Sequence, residues 1–87
     1  MVHDDDKVIK QFGNRLKELR KAKGFSNYEQ FAYTHGINRV QYGRYENGCN
    51  ISLKTLIKIL SFHDMSLTEF FSEGFDGWSL GRVENYP

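Results

Sequence analysis

Proline is almost missing from this chain of 87 residues: the only one is the last residue, Pro87, so no helix is broken from within. Cysteine is equally scarce. Cys49 has no partner for an internal disulfide and reads as a tolerated small residue, which fits a reducing compartment and leads us to expect a cytoplasmic protein. Long apolar runs are also lacking. None approaches the ~18–20 residues that a membrane span needs, and the N-terminus lacks the apolar core of a signal peptide, so no membrane partner is expected. No stretch sustains the apolar/polar alternation of a strand, which leaves an all-α fold. The three histidines, His3, His35 and His63, are scattered, and none has a cysteine or acid at ligand spacing. No metal, cofactor or catalytic residue is therefore expected, and the chain does not read as an enzyme. Its length leaves room for one domain with one modest core.

What is present is a hidden charge asymmetry. The formal net charge is only +1. Yet the span from Lys7 to Lys58 holds eleven basic residues against three acids, Glu18, Glu29 and Glu46, a local balance of +8. The other acids lie outside it, among them Asp4, Asp5 and Asp6 at one end and Asp64, Glu69, Glu73, Asp76 and Glu84 at the other. A basic body with acidic ends suits a nucleic-acid binder. A solvated lysine-rich helix would give the same count.

Glycines punctuate the body. Gly24, Gly36 and Gly48 fall twelve residues apart, each after a helically periodic stretch, and read as helix terminators in the left-handed conformation. Gly24-Phe25-Ser26 and Gly36-Ile37-Asn38 then add an apolar plug and a capping residue. Five helices follow from this punctuation. The first spans about Asp6 to Lys23, with Ile9, Phe12, Leu16 and Leu19 on its apolar face and three aspartates ahead of it complementing its dipole. The second follows Ser26, which forms a capping box with Glu29, and buries Phe31 and Ala32. The third follows Asn38 and runs to about Asn47. The fourth opens at Ser52 and buries Leu53, Leu56, Ile57, Ile59 and Leu60. The fifth opens with a Ser66–Glu69 capping box and docks Phe70 and Phe71. The expected organisation is an acidic leader over 1–7, a helical domain over 8–72, and a C-terminal tail over 73–87. In that tail Phe75, Trp78 and Tyr86 are candidates to dock on a protein partner, although an aperiodic stretch of this kind is equally a flexible end.

The second and third helices meet the requirements of a helix-turn-helix: two short helices, a tight turn at His35-Gly36-Ile37-Asn38, and a small residue, Ala32, at the crossing. Tyr42 and Tyr45, three apart, turn to one side as core contacts would. Arg39, Val40 and Gly43, with Arg44 beside them, turn to another, and arginines suit guanine edges and phosphates in a major groove. Spacing alone does not separate this reading from a short amphipathic helix with a solvated face.

From Phe12 to Phe71 the chain resembles the Cro/phage-repressor (Xre) helix-turn-helix family. The resemblance is carried by Phe12-Gly13-Asn14-Arg15-Leu16-Lys17-Glu18-Leu19-Arg20, Phe31-Ala32, Gly36-Ile37-Asn38, Glu46-Asn47-Gly48, Ser52-Leu53-Lys54-Thr55-Leu56 and Ser66-Leu67-Thr68-Glu69-Phe70-Phe71, in order and at the family spacing. It implies a five-helix bundle of the lambda-repressor-like type and sequence-specific binding to double-stranded DNA by a transcriptional regulator, a repressor acting as a homodimer, with the helix over 39–47 in the major groove. Asn38, Arg39, Val40 and Arg44 match base-contacting positions, and Gln41 completes the outward polar set. Asn47, Asn50, Ser52 and Lys54 match phosphate-contacting positions. Arg20 and Glu46 match a structural ion pair. The rival expectation is an interaction module or antitoxin that keeps this fold for a protein partner.

Three departures stand out. Tyr28 occupies the place of a backbone-contacting glutamine, with one extra residue near Ser26-Asn27, so Asn27 and Tyr28 become the phosphate-contacting candidates of the second helix. Gly43 replaces a polar residue; glycine inside a helix costs about 1 kcal/mol against alanine. Close approach to DNA, as a phosphate-contacting position, or to a neighbouring helix would compensate. Ile51 replaces a common proline before the fourth helix.

Overall fold

The computed structural model describes residues 4–75, and these form five helices: α1 (Asp4–Ala22), α2 (Tyr28–Thr34), α3 (Arg39–Glu46), α4 (Leu53–Phe62) and α5 (Leu67–Phe71). Among the described residues there is no strand. The all-α, five-helix expectation holds, with three corrections. First, α1 begins two residues earlier than read, so Asp4, Asp5 and Asp6 form its first turn instead of preceding it. Second, α2 is capped by Asn27 and not by Ser26: the Gln30 amide donates to Asn27 Oδ1 at 2.8 Å. The extra residue in this turn shifts the start by one, and asparagine caps as well as serine does. Third, Leu53 and Ile57 lie outside the buried stripe of α4, 62% and 50% exposed, while Leu56, Ile59 and Leu60 are buried. Leu53 and Ile57 sit four apart on one row of the helix, beside the row that meets the core.

One device ends four of the helices. Gly24, Gly36 and Gly48 all have positive φ, and Asp64, at φ 51°, occupies the same conformation after α4. In each case the next residue's amide reaches back to a carbonyl five residues earlier: Phe25 to Arg20, Ile37 to Ala32, Cys49 to Arg44 and Met65 to Leu60. Those four residues, Phe25, Ile37, Cys49 and Met65, are the ones packed against the core. Each terminator therefore satisfies an orphan carbonyl and drives an apolar plug inward in the same step.

The core comprises Leu16, Leu19, Phe31, Ala32, Tyr42, Tyr45, Leu56, Ile59, Leu60 and Phe70. α1 lies directly on the end of α3 at Gly13, where a Cβ would stand 2.5 Å from the Glu46 carbonyl oxygen and 2.8 Å from that of Tyr45. No side chain fits there. α5 is tied to α1 by the buried Arg15, whose Nε donates to the Phe70 carbonyl at 2.9 Å and whose Nη2 donates to that of Glu69 at 3.0 Å. Phe70 is fully buried, whereas Phe71 remains 44% exposed. Phe75, first of the aromatics assigned to the tail, packs on Phe12, Phe70 and Phe71 with ring centroids 5.0–5.7 Å apart. Trp78 and Tyr86 lie outside the described residues.

The two histidines that look scattered in sequence meet at the ends of α2 and α4. His63 stacks on Phe31 and His35 on Phe62, and the Nε2 atoms of both are buried without a hydrogen-bond partner. Burial lowers both pKa values, helped by nearby Lys23, and His63 falls to about 4. The rings thus act as neutral aromatics, and protonation has no partner to receive it. Below pH 6.5 the unfolded chain takes up a proton that the folded His63 refuses until about pH 4, so folding stability is full above pH 6.5 and declines between these values. Urea titrations across pH 7 to 4 should show a loss of up to about 3 kcal/mol over this window, and His63→Phe should flatten it. A His63→Phe profile parallel to the parent's would refute the assignment.

Candidate nucleic-acid interface

The inner side of α3 is fully committed to the body. Tyr42 is buried and Tyr45 nearly so, as their spacing implies, and Glu46 is 5% exposed beside Arg20 at 4%. Arg20 Nε and Nη2 donate to the two Glu46 carboxylate oxygens at 2.8 and 2.9 Å, and Nη1 donates to the Phe25 carbonyl at 2.8 Å. The structural pair expected from sequence is therefore present, bidentate and buried. The Glu46 hydrogen bond raises the Arg20 pKa further above its ordinary value. Burial, with the Glu46 carboxylate next to it, pushes the Tyr42 phenol far above the usual range, so Tyr42 stays neutral.

The outer side of α3 carries the candidate base readers. Arg39, Val40 and Arg44 are exposed, Val40 to 58%, and Gln41 is half-buried. Val40, Arg44 and Asn47 follow one another at i, i+4 and i+7, a single outward row. Asn38 has a local duty: its Oδ1 caps α3 by accepting from the Gln41 amide at 2.9 Å, which leaves only its side-chain NH2 free to face outward. Asn47 is the C-cap of α3, so the helix ends at Glu46, one residue short of the expected boundary.

Gly43 does not face outward. It is buried, and the three atoms nearest to a Cβ built on it all belong to the Tyr28 ring, the closest being Cε1 at 2.6 Å. Its assignment as a phosphate-contacting position is corrected on this ground: a neighbouring helix, not DNA, occupies the space that the missing side chain leaves. Tyr28 itself is half-buried at the first position of α2, next to the exposed Asn27 cap.

Past α3, Asn47, Asn50, Ser52 and Lys54 are exposed around the start of α4. Ser52 caps that helix, its Oγ accepting from the Thr55 amide at 3.1 Å and donating to Thr55 Oγ1 at 2.9 Å. α4 opens with free amides and an adjacent lysine, a combination that suits an anion. Sequence reading missed Lys10. Its Cα and Cδ both lie 3.7 Å from where a Gly48 Cβ would stand, so α1 presents an exposed cation beside the loop that follows α3. The signal was available, since Gly13 sits on the last residues of α3 and Lys10 is one helical turn before it.

A family model described as helix-turn-helix matches residues 16–70, more than half of the chain. The chain belongs to the helix-turn-helix family. Two curated relatives extend the match. Control protein C.MunI from Mycoplasma sp is 42% identical over 64 residues, covering 72% of this chain and 86% of the relative. The SPbeta prophage-derived uncharacterized HTH-type transcriptional regulator YonR from Bacillus subtilis (strain 168) is 42% identical over 78 residues, covering 87% and 70% respectively. No solved structure matches. Within this helix-turn-helix unit, α2, the turn at 35–38 and α3 are the defining pair, and the ion pair from Arg20 fixes the second of them. Among the described residues no helix is long and apolar enough to cross a membrane.

Glu46→Ala should separate architecture from surface. It leaves a buried guanidinium uncompensated and should cost about 3–5 kcal/mol. Arg39→Ala, at an exposed position, should change stability by no more than about 0.5 kcal/mol. Thermal and urea unfolding of the two variants measure the contrast; equal effects would contradict the division drawn here.

Proposed function

We propose that this protein is a sequence-specific double-stranded-DNA-binding transcriptional regulator, a repressor, that places α3 in the major groove and works in the cytoplasm. The observation that carries the reading is the division of α3: every bulky inward side chain is buried in the domain, while Arg39, Val40 and Arg44 stay exposed. Membership of the helix-turn-helix family and relatives named as a control protein and a transcriptional regulator support it. In this reading Asn38, Arg39, Val40, Gln41 and Arg44 contact bases. Asn27 and Tyr28 at the start of α2, Asn47, Asn50, Ser52 and Lys54 around the start of α4, and Lys10 on α1 contact phosphates. The work asked of these residues is binding; none is asked to do chemistry.

Selection of bound sites from random duplex DNA tests the reading, and enrichment of a defined site is the expected outcome. Failure to enrich any site would transfer support to an interaction module or antitoxin whose partner is a protein. On the selected site, Arg44→Ala should cost ~1–3 kcal/mol and relax sequence preference, whereas Lys54→Ala should weaken all sites evenly and lower the salt slope by about one. An Arg44→Ala variant as tight and selective as the parent would remove the base-reading role.

We further propose a homodimer, which would set two copies of α3 in successive major grooves about 34 Å apart on a near-palindromic site. Support comes from the outer face of α4 and α5, where Leu53, Ile57, Leu67 and Phe71 are all substantially exposed. Ile57 and Leu67 also line a groove between these helices, with Leu60 and Met65 at its floor. Apolar area gathered on one face is usual for an association surface and unusual for a solvated one. Light scattering should give twice the monomer mass for the parent and the monomer mass for Ile57→Glu. A monomeric parent at tens of micromolar would refute the dimer.

A further inference from the structure

Two of the chain's departures from the family pattern meet in space. Tyr28, the first residue of α2, lays its ring on Gly43 in the middle of α3, so closely that a Cβ at Gly43 would stand 2.6 Å from Cε1 and 3.0 Å from Cζ. Gly43 has no positive φ and lies within regular helix, so its backbone makes no demand for glycine. The helix would be better off with alanine there by about 1 kcal/mol. The absence of a side chain is therefore explained by the ring.

The position of this contact matters. α2 and α3 form a V whose apex is the turn at 35–38, with Phe31 and Tyr42 packed between the arms at 5.0 Å. Tyr28 stands at the open end of the V, at the start of α2, farthest in sequence from the apex. A ring held there acts as a wedge: its thickness sets how far the start of α2 stands from the body of α3. Arg39 lies one turn before Gly43 on the same row, and Arg44 follows it directly, so the contact sits beside the exposed arginines. Changing the opening of the V tilts those side chains relative to whatever α2 grips.

We propose that the Tyr28 ring seated on Gly43 is a positioning pair that determines sequence specificity without touching a base, by fixing the angle at which α3 enters the groove. The proposal rests on the DNA reading above and deepens it. Phosphate grip by α2 and base readout by α3 belong to separate arms, and the wedge keeps them in register. Losing the register costs discrimination first, because base contacts need near-ideal geometry while charge attraction to phosphates tolerates displacement.

The test uses the full chain as parent, Tyr28→Phe, Tyr28→Ala, Gly43→Ala and the double variant Tyr28→Ala/Gly43→Ala. Affinities for the selected site and for a random duplex are measured at one salt concentration, with helicity checked at the assay temperature. Tyr28→Ala and Gly43→Ala should each lower the ratio of selected-site to random-duplex affinity about tenfold or more, the scale of one mismatched base pair, with random binding changed less than about threefold. Tyr28→Phe keeps the wedge and should stay within about twofold of the parent ratio, well inside the effect of one mismatched base pair. A parent-like ratio in Tyr28→Ala overturns the proposal. So does a Tyr28→Phe loss as large as that of Tyr28→Ala, which would assign the effect to the hydroxyl.

Melting midpoints read the packing independently of DNA. Gly43→Ala should lower the midpoint in the parent and raise it by about 5 °C in the Tyr28→Ala background, where only helix propensity remains. Additive effects of equal sign would overturn the wedge. A parent that enriches no site fails the DNA reading and takes the specificity claim with it, while the sign reversal in melting still distinguishes that failure from a misassigned contact.

Discussion

Arg20 is the point at which three separately formed pieces of this chain become one body. Its guanidinium spends all three nitrogens: two on the Glu46 carboxylate at the end of α3 and one on the Phe25 carbonyl in the turn after α1. Removing two charges from water is expensive, and a buried pair of this kind adds little net stability over an apolar replacement. What it adds is geometry. A bidentate arginine–carboxylate contact has one good orientation, so it fixes the rotation of α3 about its own axis as well as its distance from α1. Gly13 completes the constraint by letting α1 rest on the carbonyls of Tyr45 and Glu46 with no side chain between. An eight-residue helix has little stability of its own, so the outward direction of Arg39, Val40 and Arg44 is inherited from these contacts.

The same polar residues serve local structure and the outer surface together. Asn27, Asn38 and Ser52 each place one oxygen on a backbone amide and so begin a helix. In doing so they become rigid, because a side chain that caps cannot also sample rotamers freely. For the two asparagines the NH2 group remains available at a fixed position. A surface assembled from caps is ordered in advance, which reduces the entropy that binding must remove. Terminators complement the caps, since each of the four chain reversals also drives a plug residue into the core.

Much of this was legible in the residues, and what was not has specific causes. The glycine rhythm announced three of the four terminators; Asp64 escaped because an aspartate at positive φ carries no mark in the sequence. The start of α2 slipped by one because Ser26 and Asn27 are both good caps, and only tertiary placement of Phe25 chooses between them. Five apolar residues in the first eight of α4 exceed what one face can bury, so periodicity could not tell that Leu53 and Ile57 belong to the outside. The histidine pair is a contact between the ends of two helices far apart in the chain, which spacing cannot express. Tyr28 and Gly43 each looked like an independent departure, and their common explanation needed the crossing of α2 and α3.

Charge reading deserves the same correction, and it survives it. Two of the eleven cations between Lys7 and Lys58, Arg15 and Arg20, are buried and engaged in holding helices together, and so is one of the three acids, Glu46. Nine cations and two acids remain at the surface of that span, so the local excess hardly moves. Its meaning does change. Arginine count alone treats Arg15, Arg20, Arg39 and Arg44 as equivalent, yet the first two are hydrogen-bonded fasteners and the last two are exposed on α3. The lysines of α1 are also distributed around their helix, with Lys10 beside the loop after α3 and Lys23 beside the buried histidines. Long-range attraction to a polyanion draws on all nine, whereas close contact draws only on those next to α3 and the start of α4. The basic span therefore describes how a partner is approached, and the packing of α3 describes how it is read.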